Sequence, residues 1–409
     1  MQLFSSLLHS PALEPRHYPS GYNRYVDFSH LAFADYISHT REMLFQFHSR
    51  AGAANIEKIV DGNAPFEMRP QDAHAGANLK SCRRGILLTH GLSDSPYFMK
   101  YLAMFFVEQG FRVMAILLPG HGTQPGDLLD ANWQDWSGMV AYGVDRLAEE
   151  VEEVYLAGFS AGGALSVLHG LKDSRVRGLF LYSPALRISS RAALARFHKI
   201  YSWLIASGKW LEIKPDRDIY KYESFPKNAA AQMYALTRAV DDLLHRHNIN
   251  FPVFAAASAD DTTVDVSATL EFIARSRHPS SKIVLYSADA EDISSKPDLN
   301  RAIGELSGTT KLDVVGSKLP QQRILSFSHT SIVLPSDDEH YGASGDYSNC
   351  VHYYPGDFEK YTACNNNSRE ALQGEVTERN LKAGILRRLM YNPKFTDLKI
   401  SMRKFIDDL

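Results

Sequence analysis

Val154-Tyr-Leu-Ala-Gly-Phe-Ser-Ala-Gly-Gly163 decides how the rest of the chain is read. Val154 to Ala157 is a short apolar run suited to a buried strand, Gly158-Phe-Ser-Ala-Gly162 fits G-x-S-x-G, and Ala164 to Leu171 reads as a helix. A serine at such a strand-to-helix turn sits in a strained bend with its hydroxyl pointing out of the sheet. Bulky side chains two residues either side of Ser160 would collide with adjacent elements, and Gly158 and Gly162 avoid this. The Ala161 N–H opens toward the helix start, where the backbone dipole favours negative charge. Ser160 is therefore read as a nucleophile, and a mere glycine-serine turn is the alternative.

On either side of this stretch, short apolar strands alternate with helices. The predicted strands are 85–89, 111–118, 178–183, 252–258, 282–287 and 323–328, with helices over 96–109 and 136–151. Continuous apolar strands of this kind belong to a mainly parallel sheet covered on both faces, whose ligands sit at the carboxyl ends of the strands. The fold class expected is α/β. Residues 185–250 break the alternation with an aromatic-rich, strandless run that includes helices over 192–205 and 228–244, read as a cap over the strand ends. Residues 287–322 read as a polar surface excursion. The expected organisation is an N-terminal extension (1–84), a core (85–184 and 251–345), the helical cap (185–250), and a C-terminal helical tail on the core (346–409). In the extension, a helix is expected from about residue 27 to 47 and edge strands within 56–68, broken by Asp61-Gly-Asn-Ala-Pro65.

Composition narrows the function classes. The 409 residues are 44% hydrophobic and 22% charged with a net charge of −3, an ordinary globular balance that gives no sign of a nucleic-acid partner. No apolar run approaches the ~20 residues that span a bilayer. The first ten residues lack the basic region and apolar core of a secretory signal. Cys82, Cys350 and Cys364 form no metal spacing; Cys350 and Cys364 could pair in an exported protein, but free thiols and a cytoplasmic location are the expectation.

A serine hydroxyl needs a base to take its proton, and the base needs a third group to fix its tautomer. In this type of sheet the chain order is nucleophile, acid, histidine. The strand ending at Ser258 runs into Asp260-Asp-Thr-Thr-Val264; Asp261 is favoured as the acid, with Asp260 as alternative, and either could instead cap the following helix. His329 follows the predicted strand 323–328 and is the expected base. His340, among acidic neighbours with no strand before it, is expected in a solvated loop. The second oxyanion donor beside the Ala161 N–H is expected at Leu92, where His90-Gly91 turns after the first core strand. His90 reads as a structural hydrogen-bonding residue, and Pro119-Gly-His-Gly122 as either a site-flanking turn or a plain one.

His90-Gly91, Pro119-Gly-His-Gly122, Gly158-x-Ser160-x-Gly162, Asp261-x-x-Val264 and His329, in that order, resemble the α/β-hydrolase superfamily. Within it the chain is similar to the monoacylglycerol lipase, carboxylesterase and serine aminopeptidase-like branch, over roughly residues 85–341. The resemblance implies an eight-stranded or similar sheet, a helical cap, a Ser-His-Asp triad and ester hydrolysis without metal or organic cofactor. The aromatic cap suits a small apolar acyl ester as substrate. Amidase, aminopeptidase and thioesterase activities, or a catalytically silent binding protein, are the alternatives.

Overall fold

A computed structural model describes residues 12–70, 82–187, 206–276, 278–290, 296–306, 310–366 and 370–409. The elements that frame the site begin with α1 (Phe33–Arg50), α2 (Ile56–Asn63), β1 (Phe66–Met68), β2 (Arg84–Thr89), α3 (Lys100–Glu108), β3 (Arg112–Ile116), α4 (Trp133–Ala148), β4 (Glu153–Phe159), α5 (Ala161–Lys172) and β5 (Val176–Tyr182). Two short strands, β6 (Trp210–Glu212) and β7 (Phe225–Pro226), lead into α6 (Lys227–Leu244), β8 (Val253–Ser258), α7 (Val266–Ala274), β9 (Lys282–Ser287), α8 (Pro297–Gly304) and β10 (Lys311–Gly316). The chain ends with α9 (Phe358–Asn366), β11 (Leu372–Gly374), α10 (Glu378–Ala383), β12 (Leu386–Arg388) and α11 (Phe395–Asp407).

Eight strands form the central sheet in the order β1-β3-β2-β4-β5-β8-β9-β10. Only β1 is antiparallel, pairing Phe66 with Ala115; the remaining neighbours are parallel. Alternation along each inner strand sorts side chains to two apolar layers. Leu87, Leu156, Leu179, Ala255 and Ile283 join the layer that holds α4, α5 and α6. Ile86, Tyr155, Phe180, Phe254 and Val284 join the layer that holds α3 and α11. The C-terminal helix is part of that second layer: Phe405 meets the Phe180 ring edge-on at 5.2 Å, and the Tyr182 hydroxyl donates to Met402 Sδ at 2.8 Å. Among the described residues no helix is long and apolar enough to cross a membrane.

Several expectations need correction. The last sheet strand is β10, inside the stretch read as a surface excursion, and 323–328 is no sheet strand. As an edge strand β10 leaves Lys311, Asp313 and Val314 exposed, so it lacks a continuous apolar run. Within 56–68, residues 56–63 form a helix and β1 is the edge strand. The 206–226 segment contains a two-stranded sheet, Trp210 pairing with Pro226, where no strand was expected. The tail is not wholly helical: its described residues hold the three helices α9, α10 and α11 with strands β11 and β12 between them. The predicted helix 192–205 lies outside the described residues.

Cys350 and Cys364 form a disulfide across 14 residues, not two free thiols. Both are fully buried with Tyr353 and Tyr361, and the fold brings their Cα atoms to 6.0 Å. The bond removes one ground, the free thiols, on which a cytoplasmic location was expected. Cys82 is free.

Candidate active site

Ser160 sits between β4 and α5 with φ 52° and ψ −113°, a backbone conformation that a non-glycine residue adopts only under strain. Its N–H donates to the Tyr182 carbonyl at 2.9 Å, and its own carbonyl accepts the Ala164 and Ala185 N–H groups, so three bonds hold the bend. A Cβ on Gly158 would lie 2.2 Å from the Gly162 carbonyl carbon, and one on Gly162 would lie 2.1 Å from Thr89 O. Glycine at both positions is a steric requirement of this turn.

His329 opens a short 3-10 turn (His329–Ser331) capped by Ser328. Its Nε2 lies 2.9 Å from Ser160 Oγ and its Nδ1 lies 2.6 Å from Asp261 Oδ2. A carboxylate only accepts, so Nδ1 carries the ring proton and Nε2 presents its lone pair to the serine hydroxyl. The Asp261 side chain is wholly buried, and its Oδ1 accepts the Thr263 and Val264 N–H groups. Asp260 turns elsewhere: it pairs with Lys296 at 2.9 Å and accepts the Ala288 N–H at 2.8 Å. The helix cap is a third aspartate, Asp265, which accepts from the Ser267 N–H.

His340 is buried, contrary to the solvated loop expected, and its Nε2 lies 3.1 Å from Asp218 Oδ1. Of its acidic neighbours Asp338 turns inward, while Asp337 and Glu339 stay exposed. Asp338 accepts the His340 and Tyr341 N–H groups and the Tyr97 hydroxyl, which replaces solvent as their partner.

The turn expected to carry the second oxyanion donor is braced from two sides. His90 accepts the Leu118 N–H at 3.0 Å and bonds the Gly91 carbonyl. His121 accepts the Ser93 N–H at 3.1 Å and bonds the Pro119 carbonyl. The two turns thus hold each other, and Pro119-Gly-His-Gly122 is a site-flanking turn. Burial pushes His121 down to about 4 and His90 well below its ordinary value, so both imidazoles are neutral acceptors. Lys221 bonds Ser93 Oγ at 3.0 Å and pairs with buried Asp94. Leu92 and Ser160 line one cleft, and Ala161 is the first residue of α5.

The cleft has a volume of about 560 Å³. Ala185, Leu211, Phe225 and Met233 give it apolar surface, and Lys214, Lys221, Glu223, Glu375 and Arg388 give it charge, so its lining is mixed rather than purely apolar. Lys221 pairs with Asp94 and Arg388 with Glu375. Among the described residues no cationic side chain pairs with Glu223, which accepts from the Tyr347 hydroxyl at 2.6 Å. Desolvation pushes the Glu223 carboxyl up to about 7.

Sequence reasoning missed the contribution of the tail. Glu375 is fully buried; its Oε2 accepts the His329 N–H at 3.0 Å and pairs with Arg388 Nη2 at 3.0 Å. No local pattern marks these two residues; Glu375 meets His329, and Arg388 meets Glu375, only through tertiary packing.

The profile of the family described as serine aminopeptidase, S33, matches residues 80–289. A thermostable monoacylglycerol lipase from Bacillus sp. (strain H-257) is 27% identical over 181 residues, 44% of this chain and 71% of that protein. A carboxylesterase from Bacillus subtilis (strain 168) is 22% identical over 189 residues, 45% of this chain and 75% of its own. The match covers the strand-Ser160-helix turn and the Asp261 loop, and the chain belongs to the serine aminopeptidase S33 family within the α/β-hydrolase superfamily.

Proposed function

We propose that this chain is a serine hydrolase that cleaves carboxylic esters through an acyl-enzyme on Ser160. In this reading Ser160 Oγ attacks the acyl carbon while His329 Nε2 takes its proton and Asp261 stabilises the resulting imidazolium. The N–H groups of Ala161 and Leu92 receive the oxyanion. His329 then passes the proton to the departing alcohol. A water gives its proton to His329 and attacks the acyl carbon, releasing the acid and restoring Ser160. The observation that carries the reading is the continuous line of 2.9 Å and 2.6 Å contacts from serine through imidazole to a buried carboxylate. The names of the two Bacillus relatives favour an ester as the bond cleaved.

The mixed cleft suits an ester with an apolar acyl part and a polar alcohol part. Contributions from residues 185, 211, 225 and 233 support the reading of 185–250 as a cap over the site. The buried Cys350–Cys364 bond supports an oxidising compartment rather than the cytoplasm. A second reading, amide hydrolysis beside a free amine, is favoured by Glu223, a cleft carboxyl with no cationic partner among the described residues. Matched p-nitrophenyl ester and aminoacyl p-nitroanilide substrates separate the two. The ester reading expects kcat/KM at least about a hundredfold higher on the ester, with both activities absent in Ser160→Ala. A preference for the anilide would reverse the assignment.

A further inference from the structure

The segment that delivers His329 pairs with the C-terminal tail and is tied to the central sheet by the Ser258 hydroxyl, which donates to Phe327 O at 2.9 Å. Ile324 bridges in parallel to Gln373 of β11, with Leu325 N–H donating to Gln373 O at 2.8 Å and Gln373 N–H to Arg323 O at 2.9 Å. Strand β11 pairs in turn with β12, placing Gly374 opposite Arg388. The Ser328 hydroxyl donates to Leu389 O, just beyond β12. On this platform Glu375 Oε2 accepts the His329 N–H and the Arg388 guanidinium, while its Oε1 accepts the Val376 N–H. Arg388 Nη2 also donates to Thr263 Oγ1 at 2.7 Å, and the Thr263 N–H donates to Asp261 Oδ1 at 2.7 Å. The contacts close a ring: Asp261, Thr263, Arg388, Glu375, His329 and back to Asp261.

We propose that Glu375 is a positioning residue for the catalytic base, and that the Glu375–Arg388 pair fixes the His329 turn and the Asp261 loop relative to each other. The inference rests on the Ser160–His329–Asp261 reading and adds to it a part of the chain beyond the family match, which ends at residue 289. A buried carboxylate that accepts both a backbone N–H and a guanidinium has its oxygens fixed by charge-assisted bonds, so it holds the N–H it accepts within narrow limits. Burial opposes the Arg388 charge, and Glu375, joined by Asp261 and Glu212, more than offsets it, raising the Arg388 pKa. The Arg388 guanidinium therefore remains charged across the working pH range. Small displacements of an aligned base are costly to rate without altering how substrate binds.

Steady-state kinetics on a p-nitrophenyl ester, expressed per folded molecule, test the proposal. The double variant Glu375→Leu/Arg388→Met removes both charges together, so neither is left buried alone. It is expected to lose about 10- to 100-fold in kcat with KM within about threefold of the parent. In Glu375→Gln the amide oxygen can still accept the His329 N–H, so this variant is expected to recover most of that loss. Arg379→Ala, which breaks an exposed pair with Asp289 in the same tail, is expected to change nothing. A double variant with kcat within about threefold of the parent, or a loss confined to KM, would overturn the proposal. Failure of the triad reading is separate and shows itself as full turnover in Ser160→Ala.

Discussion

Asp261 Oδ2 lies 2.6 Å from His329 Nδ1 across 68 residues of chain, while the adjacent carboxylate of Asp260 is bound to Lys296 and the Ala288 N–H. The two aspartates leave β8 in different directions. Asp260 ties that turn to the end of β9, and Asp261 folds back beneath the imidazole with its second oxygen satisfied by Thr263 and Val264. One aspartate thereby braces the turn and the other faces His329.

Replacing each carboxylate by an amide separates these roles. Asp261→Asn is expected to lower kcat by about 10³- to 10⁴-fold, because the amide mis-sets the tautomer and no longer stabilises the imidazolium. Asp260→Asn is expected to keep kcat within about tenfold and to act on stability through the lost Lys296 pair. Turnover of a p-nitrophenyl ester, with urea unfolding measured in parallel, distinguishes them; a reversed order would make Asp260 the acid.

Glu223 supplies a pH signature. Its carboxyl, raised to about 7 by desolvation, is mainly neutral at pH 6 and mainly anionic at pH 8. An ester carrying a cationic group is therefore expected to bind more tightly at pH 8 than at pH 6, with KM falling several-fold, on the order of the Coulomb attraction in a partly buried site. A neutral ester of the same size should show no such fall, and Glu223→Gln should abolish it for the cationic one. KM measured at both pH values for the ester pair is the check.

Where the chain is buried on both sides, the sequence is legible. Strands β2, β4, β5, β8 and β9 read as continuous apolar runs because each has covered faces, and Ser160 is marked by glycines that the turn requires sterically. Legibility fails where context reverses a local cue. Gly62 was read as part of a turn, yet in α2 a Cβ there would come 2.2 Å from Tyr220 Cε1, so this glycine is a packing choice. His340 looked solvated beside Asp337, Asp338 and Glu339, but Asp338 faces inward and caps its backbone. Glu375 and Arg388 carry no motif, since their role exists only after β11 pairs with the stretch before His329.

The disulfide links covalent chemistry to the cleft. Cys350 and Cys364 close the loop holding Val351 and His352, both of which line the cleft. Reduction, or Cys350→Ser with Cys364→Ser, is expected to cost about 3 kcal/mol of stability from restored loop entropy in the unfolded chain. KM for the ester should rise as the loop loosens. Thermal unfolding with and without a reductant measures the first effect and steady-state kinetics the second.

The proposed chemistry requires Ser160 as the nucleophile. Its most direct test is to treat the intact protein with a fluorophosphonate and locate the adduct by peptide mass spectrometry. The expected result is one phosphonyl group, on Ser160, with labelling abolished in Ser160→Ala and slowed by several orders of magnitude, about 10³-fold or more, in His329→Ala. An adduct on another residue, or undiminished labelling in folded Ser160→Ala, would contradict it.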